Sequence, residues 1–381
     1  MDLWLRIYAI AMLVLGIYAF LTTVLNIRYF RSFDKTHKPE NNPLISVIVP
    51  ARNEENNIER LIKSLQKQSY RNIEILVIND QSTDRTQEIL DTLSKEDERI
   101  RVYSVNPDKK LNENGKINAL LQLIPHAKGE FILATDADTM HSENCIEHAY
   151  AVMENHKLDI ISGYPTELCS SFFGNICMSA MMLTCILIPQ FIIHRFPIPA
   201  ASFAIGQFIM MRKSAYEETG GYSAIEGAIC DDVGIVRLFV KHKKKYAFLN
   251  LSKYSACFMY RNMKESFIGI ERSVAGIIPM NAFSVIPLLI AIILLLHIAL
   301  SPIAAAAFLI YTGFALDALL LAAGAAIFVL AWFIGCKAEN WRKRISISCS
   351  LTMLMTAAML IHAFYKEVTG KGFEWKGRKV I

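Results

Sequence analysis

Long uncharged segments near both ends of the chain enclose a central region in which short apolar runs alternate with polar stretches. The segments without Asp, Glu, Lys or Arg are residues 7–25, 172–193, 273–316, 318–336 and 345–365. About 20 consecutive apolar residues are enough to cross a bilayer as a helix. The pattern therefore predicts an N-terminal transmembrane anchor in residues 1–27 and three or four C-terminal transmembrane helices in residues 273–365.

The central region has the alternation of strands and helices that is typical of an α/β domain. Short apolar runs predict buried strands at residues 44–49, 73–78, 100–105, 131–135 and 159–163. Helices are predicted between them, including one that Asn53 caps and that ends near residue 68. Short links between such elements favour a largely parallel sheet with right-handed crossovers. We assign residues 44–272 to this domain and residues 28–43 to a basic linker before it.

The apolar segment 172–193 lies inside this domain and calls for a separate interpretation. If it crossed the bilayer, the acidic residues before it and those after it would lie on opposite sides of the membrane. We therefore expect a helix that lies along or dips into the cytoplasmic leaflet, interrupted at Pro189 and Gln190. An ordinary buried core helix is the alternative.

Composition and charge predict a membrane protein whose cysteines lie in a reducing compartment. Hydrophobic residues make up 53% of the 381 residues, above the roughly 45–50% of soluble proteins. The eight cysteines form no CxxC pair, as expected in a reducing environment. Cations directly follow the first apolar segment, which predicts a cytoplasmic domain and a multi-pass protein of the cell membrane; a cleaved signal peptide is the alternative. The net charge of +5 is modest, and no aromatic-basic platform predicts nucleic-acid binding.

Asp136, Ala137 and Asp138 come directly after the predicted strand 131–135. Ligands of open α/β sheets bind at the carboxyl ends of the strands. Alternate residues of an extended chain point the same way, so both carboxylates can face one ligand. Carboxylates suit a hard cation that also binds phosphates, which predicts Mg²⁺ or Mn²⁺. The alternative is a strand that ends in a solvated acidic turn.

Four motifs in order carry a family resemblance, whereas the dinucleotide and P-loop glycine patterns are both absent. The motifs are Val49-Pro50-Ala51-Arg52-Asn53-Glu54-Glu55, Ile78-Asn79-Asp80, Gly115-Lys116 and Asp136-Ala137-Asp138. Their order and spacing resemble family-2 glycosyltransferases of the GT-A fold, whose core is a Rossmann-like, mostly parallel sheet. The expected fold class is therefore α/β, with a GT-A domain between the predicted membrane segments.

The resemblance implies a UDP-sugar site and a role for each matching residue. Residues expected to contact the nucleotide-sugar are Pro50, Ala51, Arg52, Glu54, Asp80, Lys116, Asp136 and Ala137. Asp138 is expected to bind the metal. Each residue also has a structural alternative: Glu54 suits a positive helix start, Asp80 suits a turn, and Lys116 suits a solvated position at a helix start.

The resemblance continues in the second half of the domain. Gly206 and Gln207 match the family's acceptor-side segment, where the chain passes under the sugar. Asp231 and Asp232 match its acidic pair, in which the second acid is the catalytic base. Asp232 would then accept the proton of an attacking hydroxyl in an inverting transfer, with Asp231 as its partner. Two acids that cap a helix start are the alternative.

The QxxRW motif of processive membrane synthases is absent, because no tryptophan lies between Trp4 and Trp332. Arg261 is the candidate for its diphosphate contact; a surface arginine is the alternative. The absence favours non-processive transfer of one sugar. The tail, residues 366–381, contains a WKGR segment that resembles the ends of carotenoid-acid and hopanoid-associated glycosyltransferases. The number of C-terminal spans and the side on which the tail lies stay open.

Together these features predict a membrane-bound, metal-dependent, inverting hexosyltransferase. It would move a single sugar from a UDP-sugar to a lipid acceptor such as a carotenoid, terpenoid or glycerolipid. Transfer to a polyprenyl phosphate is one alternative, and a non-catalytic membrane subunit that senses sugar nucleotides is another. The sequence indicates neither the sugar, nor the lipid, nor the oligomeric state.

Overall fold

The computed structural model describes residues 2–112, 114–225, 230–277, 285–312, 315–369, 371–375 and 378–380. The chain forms two compact units, which we name the sheet unit and the helical unit. The sheet unit comprises Ser32–Leu168, Ile192–Met259 and Gly372–Ile381. The helical unit comprises Met1–Arg31, Cys169–Phe191 and Tyr260–Lys371.

Twelve strands form in the described chain. They are β1 (Ile45–Ala51), β2 (Ile73–Asn79), β3 (Ile100–Ser104), β4 (Phe131–Ala134), β5 (Thr139–His141), β6 (Ile160–Tyr164), β7 (Thr166–Glu167), β8 (Ile209–Arg212), β9 (Tyr246–Asn250), β10 (Ser255–Cys257), β11 (Phe373–Trp375) and β12 (Arg378–Val380). Seven form one sheet in the order β3-β2-β1-β4-β8-β6-β9, and β5, β10 and β7 form a smaller sheet. Only β8 runs antiparallel to its neighbours in the larger sheet, so the predicted mostly parallel α/β core is confirmed.

Fifteen α-helices form in the described part of the chain. They are α1 (Asp2–Ser32), α2 (Ile58–Gln66), α3 (Thr86–Glu96), α4 (Gly115–Leu123), α5 (Cys145–His156), α6 (Phe172–Met178), α7 (Met182–Leu187), α8 (Gln190–Arg195), α9 (Lys213–Thr219), α10 (Asp231–Lys241), α11 (Met263–Ile277), α12 (Val285–Thr312), α13 (Ala315–Ala338), α14 (Lys343–Ser346) and α15 (Cys349–Val368). Strands β2 and β4 are buried at every residue, because helices cover both faces of a parallel sheet.

The start of α2 differs from the prediction that Asn53 caps it. The helix begins at Ile58, and Asn53 takes a left-handed backbone conformation with φ of 52°. Its side-chain oxygen instead accepts a hydrogen bond from the backbone N–H of Thr83 at 2.8 Å. Asparagine tolerates this conformation, and its contact with a distant loop outweighed its preference for a cap.

The strand register brings several predicted site segments to one edge of the large sheet. Ala51 lies opposite Asn79 at the carboxyl ends of β1 and β2. Ala134, at the carboxyl end of β4, lies opposite Ile209, where β8 begins. Because β8 runs the other way, the segment that precedes it reaches the same edge as the segment that follows β4.

The helical unit contains the apolar helices. Among the described residues, three helices are long and apolar enough to cross a membrane: Arg6–Ser32, Leu316–Ala338 and Cys349–Val368. The apolar helix α12 precedes the last two in the chain, so the structure has three C-terminal apolar helices in its described part. The predicted interruption near Pro189 is present, because residues 172–193 fall into α6, α7 and α8.

The tail forms a two-stranded hairpin, β11 with β12, which groups with the sheet unit. Residues 376 and 377 of the WKGR segment lie outside the described residues.

Within the helical unit, α1 and α13 touch backbone to backbone at two glycines. A Cβ atom added to Gly16 would lie 2.3 Å from the carbonyl oxygen of Gly324. A Cβ atom added to Gly324 would lie 2.6 Å from the carbonyl of Met12. Small residues commonly let apolar helices approach this closely.

We expect Gly324→Leu to separate α1 from α13 and to lower the unfolding free energy by about 1–3 kcal/mol, because overpacking forces backbone shifts. Thermal unfolding in detergent micelles measures the effect. Val14→Leu is the matched control, since Val14 lies on the outer face of α1 and is 59% exposed. Equal stability of the two variants would contradict the close contact.

Candidate active site

Lys116 joins the two acidic motifs that the sequence singled out. Its Nζ atom lies 2.7 Å from Oδ1 of Asp136 and 3.1 Å from Oδ2 of Asp231. Asp136 follows β4, Asp231 begins α10, and Lys116 lies in the first turn of α4. The Asn114 side chain fixes this turn by accepting hydrogen bonds from the backbone N–H groups of Lys116 and Ile117 at 3.0 and 3.3 Å. Three separate elements thus meet at one ammonium group.

Asp232 is held beside this contact by two backbone groups. Its Oδ2 atom accepts a hydrogen bond from the N–H of Gly206 at 2.9 Å, and its Oδ1 atom accepts one from Val233 at 2.8 Å. Loss of solvent raises the pKa of Asp232 to about 7; the negative charge of Asp231 adds to the rise, and Lys116 opposes it. A carboxylate with a pKa near neutrality suits proton transfer.

The same group of charges keeps Lys116 ionised. Burial by itself lowers the pKa of Lys116, but Asp136, Asp231 and Asp232 outweigh it and raise the pKa well above the usual value. Lys116 therefore stays cationic throughout the range in which Asp232 titrates.

Gly206 lets the backbone approach this cluster. A Cβ atom there would lie 3.1 Å from Nζ of Lys116 and 3.4 Å from Oδ2 of Asp232. Any side chain at this position would therefore crowd the groups that hold the cluster together. Gln207 follows it and is fully buried.

Several residues predicted to contact the nucleotide lie at the carboxyl ends of β1 and β2. The Arg52 guanidinium donates to the backbone oxygen of Asp80 at 2.8 Å and lies 3.8 Å from its carboxylate. The Asp80 N–H donates to the carbonyl of Ala51 at 2.8 Å. A pocket of about 250 Å³ adjoins Asp80. Its other lining residues are Gln81, Val105, Pro107, Lys110, Asn112, Gly115 and Asn118.

The structure also places three further predicted site residues, Glu54, Pro50 and Ala137. The Glu54 carboxylate accepts a hydrogen bond from the Asn57 side chain at 2.8 Å, next to the start of α2. Pro50 is partly buried in β1, and Ala137 is buried between the two acids of its motif.

Arg261 belongs to the helical unit, whereas the other predicted site residues belong to the sheet unit. It is exposed, and its backbone N–H donates to the Glu265 carboxylate at 2.9 Å.

Asp138 lies within a set of groups that the sequence did not single out. Its Oδ1 atom accepts a weak hydrogen bond from the Cys257 thiol at 3.6 Å. Arg60, whose guanidinium stacks on the Phe258 ring at 3.7 Å, is close enough for Asp138 and Glu54 to oppose the lowering of its pKa by burial. No motif marks these residues, because only the pairing of β5 with β10 brings them together.

Tyr222 is another residue without a sequence signal for a site role. It is fully buried, and its hydroxyl has no hydrogen-bond partner in the described part of the chain. Burial raises its pKa well above the usual value, and the nearby Asp231 adds to the rise.

The residues fit a divalent cation that takes most of its ligands from a diphosphate. Among the described residues, no group of three or more His, Cys, Asp or Glu side chains is arranged to hold a metal ion unaided. The carboxylates Asp136, Asp231 and Asp232 nevertheless outnumber their one cation, Lys116, and Asp138 adds a fourth acid nearby. Such an excess of oxygen ligands favours Mg²⁺ or Mn²⁺ bound through few protein ligands and substrate phosphates.

Residues 46–220 match the model of glycosyl transferase family 2. Glycosyltransferase GlyG of Streptococcus pneumoniae is 28% identical over 236 residues, 60% of this chain and 74% of that protein. The 4,4'-diaponeurosporenoate glycosyltransferase of Staphylococcus haemolyticus is 30% identical over 224 residues. That match covers 56% of each chain, so it spans little more than half of this relative.

One solved structure is similar over almost the whole length of both chains. It is the mannosyltransferase PcManGT from Pyrobaculum calidifontis in complex with GDP-Man and Mn²⁺, with a TM-score of 0.46 and 16% identity, covering 96% of this chain and 99% of that one. At this score and identity the likeness supports no transfer of function.

We expect Lys116→Met to lower the unfolding free energy by about 3 kcal/mol, because three clustered carboxylates lose their cation. The loss should be larger at pH 8 than at pH 5, because Asp232, with a pKa raised to about 7, is ionised and in need of the cation mainly at the higher pH. Thermal unfolding at both pH values measures it. Lys109→Met, at an exposed lysine, is the control. A loss that does not depend on pH would contradict the electrostatic role.

Proposed function

We propose that this protein, whose residues 46–220 match the glycosyl transferase family 2 model, is a membrane-bound, inverting glycosyltransferase. It transfers a single sugar from a UDP-sugar to a lipid acceptor. The observation that carries the proposal is the contact of Lys116 with both Asp136 and Asp231, beside an Asp232 whose pKa is raised to about 7.

The proposed donor site lies at the edge of the sheet where β1 and β2 end. The pocket beside Asp80 is of a size for a nucleoside and combines an acidic acceptor with the apolar side chains of Val105 and Pro107. Asp80 accepts from the uracil imide, while Ala51, Arg52 and Glu54 line the same end. The diphosphate then extends toward Lys116 and Asp136, and Asp138 holds the divalent ion.

The chemistry assigns each charged group one task. Asp232 accepts the proton of the acceptor hydroxyl as its oxygen bonds to the anomeric carbon. The bond from that carbon to the diphosphate oxygen breaks, and UDP leaves with the electron pair. Lys116 stabilises the growing negative charge. A bound Mg²⁺ or Mn²⁺ ion supplies further neutralisation of the diphosphate.

A lipid acceptor is supported by two independent features. The chain has three helices that are apolar and long enough to cross a membrane. The relative from Staphylococcus haemolyticus is named for a carotenoid acid, diaponeurosporenoate. Gly206 and Gln207 form the acceptor-side segment. If the nucleophile is itself a carboxylate, Asp232 orients it rather than deprotonating it.

The sheet unit is cytoplasmic in this proposal, because UDP-sugars are cytosolic and cations follow α1. Arg261, in the helical unit, is the candidate for the diphosphate contact that the missing QxxRW motif would otherwise provide. Transfer to a polyprenyl phosphate remains the second enzymatic candidate. The clustered carboxylates favour either enzyme over a sensing subunit, because a sensor needs no poised base.

We expect Asp232→Asn to reduce kcat by about 10²–10⁴-fold while UDP binding is retained, because the proton acceptor is lost. For an alcohol acceptor, the wild-type kcat/KM should rise as the pH increases through about 7, where Asp232 loses its proton. Membranes with labelled UDP-sugar and lipid extract provide the assay. Asp108→Asn, at an exposed acid, is the control. Wild-type turnover by Asp232→Asn would exclude Asp232 as the base.

EDTA should abolish turnover, and Mg²⁺ or Mn²⁺ should restore it. Asp138→Asn should raise the metal concentration needed for half-maximal activity by about tenfold or more, because it removes the carboxylate that holds the ion. Titration of activity and of UDP binding with Mn²⁺ measures both effects. Full turnover in EDTA would show that the reaction needs no divalent ion.

A further inference from the structure

Two neighbouring side chains next to the candidate active site are buried without hydrogen-bond partners. Glu167 is 8% exposed and Gln207 is 0% exposed. Both carboxylate oxygens of Glu167, and both the oxygen and the nitrogen of the Gln207 amide, lack a partner in the described part of the protein. Buried polar groups in folded proteins are normally paired, so four such atoms together, without a partner among the described residues, point to a ligand or a water molecule at this position.

The small sheet places Glu167 beside the proposed metal-binding aspartate. Glu167 in β7 lies opposite Cys257 in β10, and Cys257 lies opposite Thr139 in β5. The Cys257 thiol donates to Asp138 at 3.6 Å. Directly opposed residues of neighbouring strands point to the same face, so Glu167 and Cys257 share the face that reaches Asp138.

The electrostatics support this placement. Burial raises the pKa of Glu167 to about 8; the Gln207 amide opposes the rise, and the charge of Asp138 adds to it. The amide is thus close enough to act on the carboxyl group, although the two do not reach hydrogen-bonding geometry.

Gln207 connects this pair to the reaction centre. It follows Gly206, whose backbone N–H holds Asp232. Glu167 is thus close to Asp138, the proposed metal ligand, and Gln207 adjoins the residue that holds Asp232, the proposed base. In the proposed reaction, the group between the metal ion and the base is the sugar that is being transferred.

The chemistry of the pair selects among possible ligands. A second metal ion held by protein groups alone fits poorly, because Asp138, Cys257 and Glu167 do not form a metal-binding group among the described residues. A carboxyl group and a primary amide offer acceptors together with two amide donors. Sugar hydroxyls both donate and accept, so two adjacent hydroxyls complement the pair.

We propose that Glu167 and Gln207 bind hydroxyl groups of the transferred sugar and determine which UDP-sugar the enzyme accepts. The inference rests on the proposed function and refines it, because it moves the Gln207 side chain from the acceptor to the donor sugar. A site built to hydrogen-bond a hydroxyl discriminates strongly against a sugar that lacks it or presents it differently, since its buried polar groups then stay unpaired.

The test compares the affinities of UDP and of UDP-sugars for the full-length protein in lipid nanodiscs with Mn²⁺, by calorimetry. The ligands are UDP, UDP-glucose, UDP-galactose, UDP-N-acetylglucosamine and singly deoxygenated analogues of the preferred one. In Glu167→Gln we expect UDP to bind within twofold of wild type and the preferred UDP-sugar to bind about tenfold more weakly. Removing the recognised hydroxyl should weaken binding to wild type and leave binding to Glu167→Gln unchanged.

Gln207→Leu provides a second variant that keeps the side-chain volume and should lose selectivity for the same or the adjacent hydroxyl. Glu96→Gln, at an exposed acid, is the matched control and should behave as wild type. Unchanged UDP affinity verifies that each variant is folded.

Wild-type affinity and ranking of all UDP-sugars in both variants would overturn the inference and indicate a buried structural water. An equal loss for UDP and for UDP-sugars would also overturn it, because the residues would then act on the nucleotide or on the metal. If the wild-type protein bound neither UDP nor any UDP-sugar, the donor of the proposed function would be wrong and the inference would fail with it. If wild type bound and transferred a sugar while the variants kept its selectivity, the inference alone would fail.

Discussion

The structure depends on one ammonium group that neutralises acids from distant parts of the chain. Lys116 contacts Asp136, which follows a central strand, and Asp231, which begins a helix nearly a hundred residues later. Without this cation, three partly buried carboxylates would repel one another at the edge of the sheet. Because opposite charges in a poorly solvated site attract strongly, Lys116 fixes how closely these elements approach. The raised pKa of Asp232 follows from the same crowding of acids.

The clustered acids and the unpaired buried groups lower the stability of the ligand-free protein, but the proposed reaction uses them. Acids outnumber cations in the cluster, and in the part of the chain that the structure describes the buried Tyr222 hydroxyl, Glu167 and Gln207 side chains have no hydrogen-bond partners. In the proposed reaction, a bound cation, diphosphate or sugar hydroxyl would compensate these features. Active sites commonly concentrate such groups, because polar side chains that are arranged to bind a ligand lack hydrogen-bond or charge partners when the ligand is absent.

The division of the chain matches the two kinds of substrate that the proposed reaction joins. The sheet unit carries the pocket beside Asp80, our proposed nucleotide site, and the acids that cluster around Lys116. The helical unit carries the three apolar helices that can cross a bilayer. Segment 169–191 is continuous with the sheet unit in sequence but packs among the apolar helices. Ile176, Cys177 and Met178 of this segment are buried. The segment is apolar because it packs inside the protein, and its helices are too short to span a membrane.

The sequence by itself determined the α/β class, the apolar helices and the order of the acidic motifs, because these depend on local hydrophobic pattern and on residue type. It also predicted that Asp136 and Asp231–Asp232 belong to one site, and the structure brings them together on Lys116. Only the tertiary structure decided that Asn53 turns away from α2, that Arg261 belongs to the helical unit, and that Cys257 and Glu167 lie next to Asp138. Those placements arise from strand pairing and loop contacts between residues far apart in the chain, and such long-range contacts leave no periodic signal in the sequence.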